Sequence, residues 1–205
     1  MLAKLKYEAI NNKKIIFFLF TLCLIGIISS SILVTVISKS DKESIINYIK
    51  EYKNTFNNID FKTILTNSLL NNIIPTLFVW LIGISIIGVP IILFVYFYKM
   101  FILGFTISSF ILSYKFKGLM LTIIYIFPSK IITILVITLI CLYAIKISSN
   151  LIYTFLSKKE TNNNRITKKY IKILFISIII LLLNTLYEGI ILPVIMEKAI
   201  SFLKI

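Results

Sequence analysis

Apolar residues are grouped in long uncharged runs that short charged segments separate. The first run extends from 15 to 37 without a charge, and the run 69–112 carries Lys99 as its single charge. A helix needs about 20 mostly apolar residues to cross a bilayer, whereas an apolar stretch of about 10 to 14 is typical of a buried helix. The pattern therefore predicts a bundle of transmembrane helices.

The positions where these runs begin, break and end predict the individual elements. We predict transmembrane helices at 15–37, 69–87, 91–113, 131–156 and 173–194, an outer amphipathic helix at 40–57, a half-helix at 119–127 and a cytoplasmic loop at 157–172. Gly88 and Pro90 favour a turn, because Pro lacks an amide and Gly permits a bend. Pro128 interrupts a run that is either a re-entrant half-helix followed by a crossing or one kinked, protruding helix. The predicted fold is all-α, a single membrane domain of about five transmembrane helices, with broken elements near 88–90 and 128–130.

The segment 40–57 is polar enough to lie outside the membrane but has one apolar face. Residues 40–43 read Ser-Asp-Lys-Glu, which has the form of a capping box at a helix start. Ile45, Ile49, Tyr52 and Phe56 then recur at helical spacing. We expect this strip to rest on lipid headgroups or on the bundle, or to dock an extracytoplasmic partner.

The charges give an orientation and argue against nucleic acid as a partner. The formal charge is +14, and the cations flank the apolar runs instead of forming a basic groove with interleaved aromatics. Four lysines precede the first run, and six cations lie between 158 and 172. Because short segments rich in Lys and Arg stay in the cytoplasm, the N-terminus is predicted inside and the C-terminus outside. The first run is longer than a signal-peptide core and is expected to be retained.

Candidate chemistry is sparse. The chain has no histidine, and Cys23 and Cys141 lie isolated in apolar runs, so we predict no enzyme activity, no cofactor and no metal site. The polar residues inside apolar runs are Asn71, Asn72, Lys99, Lys130, Asn184 and Glu188. A charge in mid-membrane is costly and usually pairs or faces a wet cavity. We expect Glu188 to form an ion pair that locks the bundle, with Lys99 or Lys130 as its partner; a proton or ion step in transport is the functional alternative.

Several stretches resemble a known family. The run 80–90 reads Trp-Leu-Ile-Gly-Ile-Ser-Ile-Ile-Gly-Val-Pro, and Lys99 and Gly104-Phe105-Thr106 follow it. Near the end, Tyr187-Glu188-Gly189 leads into Leu-Pro-Val-Ile-Met at 192–196. The chain resembles the stage II sporulation protein M (SpoIIM) family over nearly its whole length. Met100 and Ser129-Lys130 depart from the pattern of similar proteins.

The resemblance implies a membrane scaffold of the engulfment machinery in endospore formers. Its implied partners are SpoIIP, an amidase and endopeptidase, and SpoIID, a lytic transglycosylase, held at the septal membrane on the mother-cell side. Self-association stays open. The alternative is a small transporter or permease-like subunit, because the broken helices and intramembrane charges are typical of transporters.

The predicted orientation can be tested by thiol labelling of intact cells, with Cys23 and Cys141 replaced by Ala. The Asn163→Cys variant should be shielded from a membrane-impermeant reagent, because the basic loop is cytoplasmic. The Asn54→Cys variant should react. The reverse labelling pattern would contradict the orientation.

Overall fold

The helices account for nearly all of the chain that the structure describes. The computed structural model describes residues 13–56, 61–157 and 164–203, leaving out the side chains of 48–56, 61, 64, 125–127, 157, 164–167, 196–197 and 199–203. The helices in these ranges are α1 (Lys13–Val36), α2 (Lys39–Phe56), α3 (Phe61–Ile82), α4 (Gly88–Ser157) and α5 (Asn164–Leu203). Five described segments are long and apolar enough to cross a membrane, namely Lys13–Val36, Leu65–Ile82, Gly88–Ile124, Pro128–Leu156 and Lys168–Ile195. The predicted all-α membrane bundle is therefore confirmed.

The turn between the second and third crossings lies earlier than predicted. α3 ends at Ile82, and a turn occupies 83–87. The Ser85 amide donates to the Ile82 carbonyl at 2.9 Å, which links this turn to the end of α3. Gly88 and Pro90 belong to the first turn of α4 instead. A proline is tolerated there because the first amides of a helix have no helical acceptor.

α4 contains two crossings, and the chain reverses direction between them at Lys115. This residue has φ 52° and ψ −126°, which are not helical angles, and a positive φ is uncommon for a residue other than glycine. We call residues 88–114 the first arm of α4 and residues 116–157 the second arm. The arms are antiparallel, and the hydroxyls of Tyr96 and Thr138 lie 3.0 Å apart across them.

The second arm continues through Pro128. The separate half-helix predicted at 119–127 is thus joined to the helix predicted at 131–156, and the arm ends at Ser157. A proline within a transmembrane helix is tolerated where neighbouring polar groups satisfy the backbone near it. At its other end the arm extends past the turn at 83–87, where the Ser148 hydroxyl donates to the Ser85 carbonyl at 2.7 Å.

The second arm is also the central helix of the bundle. In its segment Pro128–Leu156, 56% of the most apolar stretch is buried, against 17–33% in the other four candidate spans. Ile140, Cys141 and Ala144 are fully buried within it. The other crossings expose large apolar side chains such as Phe94 and Leu183, as expected for helices whose outer faces contact lipid.

α1 packs parallel to the first arm of α4 through small residues. A Cβ added to Gly26 would lie 2.9 Å from the Cβ of Met100, and one added to Gly104 would lie 2.7 Å from the Cα of Ile27. Real Cβ atoms do not approach other atoms so closely, so glycine at these positions permits the contact. Small residues commonly allow transmembrane helices to approach in this way.

The predicted outer helix corresponds to α2, but its cap differs. Ser38 rather than Ser40 caps the helix: its hydroxyl accepts from the Asp41 amide at 3.2 Å and donates to the Asp41 carboxylate at 2.6 Å. The helix begins one residue earlier than predicted because Ser38 is placed to bond the third amide of the first turn. α2 contacts α4.

α5 is longer at both ends than the crossing predicted at 173–194. It begins at Asn164 and ends at Leu203, with Pro193 inside it. Residues 164–172 of the predicted cytoplasmic loop are therefore helical, and residues 158–163 lie outside the described chain. The apolar run marks the lipid-embedded part of a helix rather than its ends.

The contact between α1 and the first arm predicts a sensitive position at Gly104. The Gly104→Val variant should lose about 1–3 kcal/mol of unfolding free energy, because added atoms meet the backbone of α1. Unfolding can be followed with a thiol-reactive dye that reaches the buried Cys141, in a Cys23→Ala background. The control Phe94→Val, on the exposed side of the same arm, should change stability by less than about 0.5 kcal/mol. Equal unfolding temperatures would contradict the packing.

Candidate functional site

Glu188 is a carboxylate that three helices enclose. Its side chain is 6% exposed, and the Nζ of Lys130 lies 2.8 Å from its Oε1. The Ser129 hydroxyl donates to the same oxygen, and the Ser68 hydroxyl of α3 donates to Oε2. Both carboxylate oxygens therefore accept from neighbouring helices. A buried charge is tolerated when it is paired and hydrogen-bonded in this way.

α3 contributes a buried polar stripe to this site. Ser68, Asn72 and Thr76 recur every fourth residue, so they lie on one face of the helix, and all three are buried. The Asn72 side-chain amide donates to the Ser68 hydroxyl at 3.1 Å, and the Thr76 hydroxyl donates to the backbone carbonyl of Asn72 at 2.7 Å. The stripe presents Ser68 and Asn72 toward Glu188.

Asn184 extends the network one turn along α5. Its amide nitrogen donates to the hydroxyl of Ser129 at 3.2 Å and to that of Thr133 at 3.3 Å. Asn184 and Glu188 are four residues apart on one face of α5 and meet one face of the second arm of α4. The Thr185 hydroxyl lies 3.4 Å from the Ser68 hydroxyl. We call the whole group the polar cluster: Ser68, Asn72, Ser129, Lys130, Thr133, Asn184, Thr185 and Glu188.

Lys99 satisfies a different group. Its Nζ donates to the backbone carbonyl of Asn71. In a regular helix that carbonyl would accept from the amide four residues later, but Pro75 occupies this position inside α3 and has no amide hydrogen. Lys99 therefore replaces the donor that Pro75 lacks, and this bond ties the first arm of α4 to α3.

A cavity of about 260 Å³ lies between Lys99 and Lys130. Its lining residues are Asn71, Asn72, Lys99, Met100, Ile102, Leu103, Thr106, Lys130, Thr133, Ile134 and Ile137. The two lysines are the charged residues in this lining, and Glu188 lies behind Lys130. The volume is large enough for several waters, each of which occupies about 30 Å³ in the liquid.

Four of the six intramembrane residues selected from the sequence meet in the polar cluster, namely Asn72, Lys130, Asn184 and Glu188. Of the two lysines left open as partners of Glu188, the structure selects Lys130. Asn71 contributes its backbone carbonyl to Lys99, and its side chain is exposed.

The predicted docking residues are described in part. They lie on α2, where Ile45 is half-buried, and the side chains of Ile49, Tyr52 and Phe56 lie outside the description.

Sequence reasoning did not select the hydroxyl residues of the cluster. Ser68, Ser129 and Thr133 carry no charge and are common in transmembrane helices, so each gives a weak signal alone. The recurrence of Ser68, Asn72 and Thr76 at four-residue spacing was a readable signal on α3. Pro75 was a second one, because it predicts an unpaired carbonyl at Asn71.

The cluster neutralises a buried carboxylate and joins α3, α4 and α5 at one level. A comparison with protein-family models adds the decisive finding: the model of stage II sporulation protein M matches residues 14–193. The chain belongs to the SpoIIM family. It is thus a membrane protein of a sporulation family. Searches of curated proteins and of solved structures each found no significant match. The SpoIIM match includes every residue of the polar cluster and the cavity.

The polar cluster predicts that Glu188 is needed for stability. The Glu188→Gln variant should lose roughly 3 kcal/mol, because Lys130 keeps its charge without a carboxylate. Thermal unfolding in detergent, followed through Cys141, measures the loss.

The double variant Glu188→Gln with Lys130→Met should recover part of that stability, since no lone charge remains. The control Lys62→Met removes an exposed charge at the start of α3 and should have little effect. A double variant that is less stable than Glu188→Gln alone would contradict an ion pair.

Proposed function

We propose that this protein is a non-enzymatic membrane scaffold of the sporulation engulfment machinery. It would anchor peptidoglycan hydrolases of the SpoIIP and SpoIID types at the septal membrane, on the mother-cell side. The family match over residues 14–193 carries this proposal. The proposed orientation has the N-terminus in the cytoplasm and the C-terminus outside, in agreement with the distribution of cations along the chain.

The internal contacts support a holding role. Hydrogen bonds and an ion pair to Glu188 join α3, the second arm of α4 and α5. Close backbone contact at Gly26 and Gly104 joins α1 to the first arm. A buried carboxylate whose two oxygens both accept hydrogen bonds favours one arrangement of the helices that supply the donors. Such a frame keeps the outer surfaces at fixed positions, which is what a scaffold requires.

α2 is the proposed contact surface for the hydrolases. It is an 18-residue helix between the first two crossings, and on the proposed orientation it lies on the outer side. The spacing of Ile45, Ile49, Tyr52 and Phe56 places them in one apolar strip along this helix. An apolar strip in water costs about 25 cal/mol per Å² of exposed area, so lipid, the bundle or a partner covers it.

The cavity supports a second candidate function, that of a small transporter subunit. Lys99 and Lys130 line this cavity inside the membrane-spanning part, beside the Glu188 ion pair. Intramembrane charges are typical of ion and proton pathways. Proton or ion flux into vesicles that contain the purified protein, lost in Glu188→Gln at equal protein content, would favour this candidate over the scaffold.

Replacing Tyr52 and Phe56 together by Ser tests the scaffold proposal. Co-purification of tagged protein from sporulating cells should recover SpoIIP-type and SpoIID-type hydrolases with the unaltered chain. The double variant should recover fewer, at unchanged abundance, because the docking strip is lost.

The matched control replaces Asn47 and Asn54 by Ser, which changes the same helix away from the strip. Reduced abundance of the Tyr52 and Phe56 variant would instead show that the strip packs on the bundle. Full abundance with full hydrolase recovery would assign the strip to lipid and remove docking from α2.

A further inference from the structure

The cavity between α3 and the two arms of α4 lies deep in the membrane-spanning part. Lys99 is about 16 Å along the first arm from Gly88 and about 24 Å from Lys115, at roughly 1.5 Å per residue. The hydrocarbon core of a bilayer is about 30 Å thick. Lys99 and the cavity beside it are therefore near mid-membrane rather than at headgroup level.

The charges around this cavity do not balance. Lys99 and Lys130 line it, while Glu188 accepts from Lys130 and from the Ser129 and Ser68 hydroxyls. Lys99 donates to a backbone carbonyl, which is a dipole and carries no net charge. The described site thus has two cations and one carboxylate. A lone ammonium at this depth is costly unless an anion approaches it.

The rim of the cavity belongs to the outer surface of the bundle. Asn71 has an exposed side chain, and Ile102 is 43% exposed. Their neighbours Leu70, Ile74 and Tyr98 are large apolar or aromatic side chains that are at least half exposed, which is typical of a surface facing lipid. Asn71 and the cavity interrupt this apolar surface. Hydrocarbon tails supply no hydrogen bond and no charge to the groups inside.

We propose that the cavity receives the carboxylate of an Asp or Glu side chain from a transmembrane helix of a partner protein, which docks along α3 and the first arm of α4 and pairs with Lys99. Charge complementarity selects an acid, and the mid-membrane depth selects a spanning helix over a lipid headgroup. The volume of about 260 Å³ accommodates a carboxylate with a few waters. The inference deepens the proposed scaffold function, because it names the chemistry by which a membrane-anchored partner is held.

The direct test uses the full chain in neutral phosphatidylcholine vesicles and two synthetic transmembrane peptides. Both are Leu-rich and labelled for energy transfer, one with a central Glu and the other with Gln in its place. The Glu peptide should associate at least about tenfold more tightly with the protein, as expected for a desolvated charge pair. Equal binding of the two peptides to the unaltered protein overturns the proposal without any variant.

Variants then locate the contact. Lys99→Met should abolish the preference for the Glu peptide, and Lys99→Arg should keep most of it. Lys62→Met, which removes a charge from α3 at a distance from the cavity, should bind both peptides like the unaltered protein. A Glu preference that survives Lys99→Met would place the contact elsewhere and overturn the assignment to this cavity.

Two further measurements distinguish an acidic helix from other occupants of the cavity, and this inference from the scaffold proposal. Thermal stabilisation by phosphatidylglycerol, present without peptide and lost in Lys99→Met, would assign the cavity to an anionic headgroup and overturn the helix proposal. Failure of the Glu preference with full hydrolase co-purification would remove this inference and leave the scaffold function. A Lys99-dependent Glu preference without hydrolase co-purification would support the cavity and remove the proposed partners.

Discussion

The burial of one carboxylate constrains the architecture of this bundle. Glu188 lies in a segment that crosses the membrane, where an unpaired negative charge would be expensive. Its compensation comes from Lys130 and Ser129 on α4 and from Ser68 on α3. These donors can reach the Glu188 carboxylate only when the three helices lie at fixed heights relative to one another. The requirement thereby sets the register of α3, the second arm of α4 and α5.

A backbone defect in α3 provides the second constraint. Pro75 leaves the Asn71 carbonyl without a helical donor, and the Lys99 ammonium takes that place. Each group supplies what the other lacks. Burying a lysine ammonium without an acceptor costs free energy, and so does burying a carbonyl without a donor. Their bond couples the first arm of α4 to α3 without using the polar cluster. The bundle is consequently joined at one level by two different polar contacts, on either side of the cavity.

The sequence predicted the large features because lipid imposes strong rules on composition. Uninterrupted apolar runs predicted the spans, and the strip in 40–57 predicted a further helix, which α2 matches. The requirement that Glu188 pair with a lysine also came from the cost of a lone charge.

Details that depend on where the chain bends could not be predicted. Placing the turn at 88–90 rather than at 83–87 left the depth of Lys99 uncertain, so the partner of Glu188 stayed open. The reversal at Lys115 falls between the elements predicted at 91–113 and 119–127, whereas Pro128 suggested a break inside a helix that continues. The hydroxyl donors Ser68 and Ser129 matter through their position beside Glu188, which requires the packing of three helices.

The contrast between the two polar contacts has a functional consequence. Lys130 and Glu188 neutralise each other, so among the described residues that side of the bundle has no lone charge. Around Lys99 the backbone is satisfied but the charge is not, and the adjoining rim opens among lipid-facing side chains. Charge pairing alone does not distinguish the two lysines. They differ because Pro75 leaves the Asn71 carbonyl without a helical donor, and Lys99 donates to it. A helix that brings a carboxylate to this rim would complete the neutralisation that α5 provides for Lys130, so the same physical requirement that orders the bundle also favours its association with an acidic membrane partner.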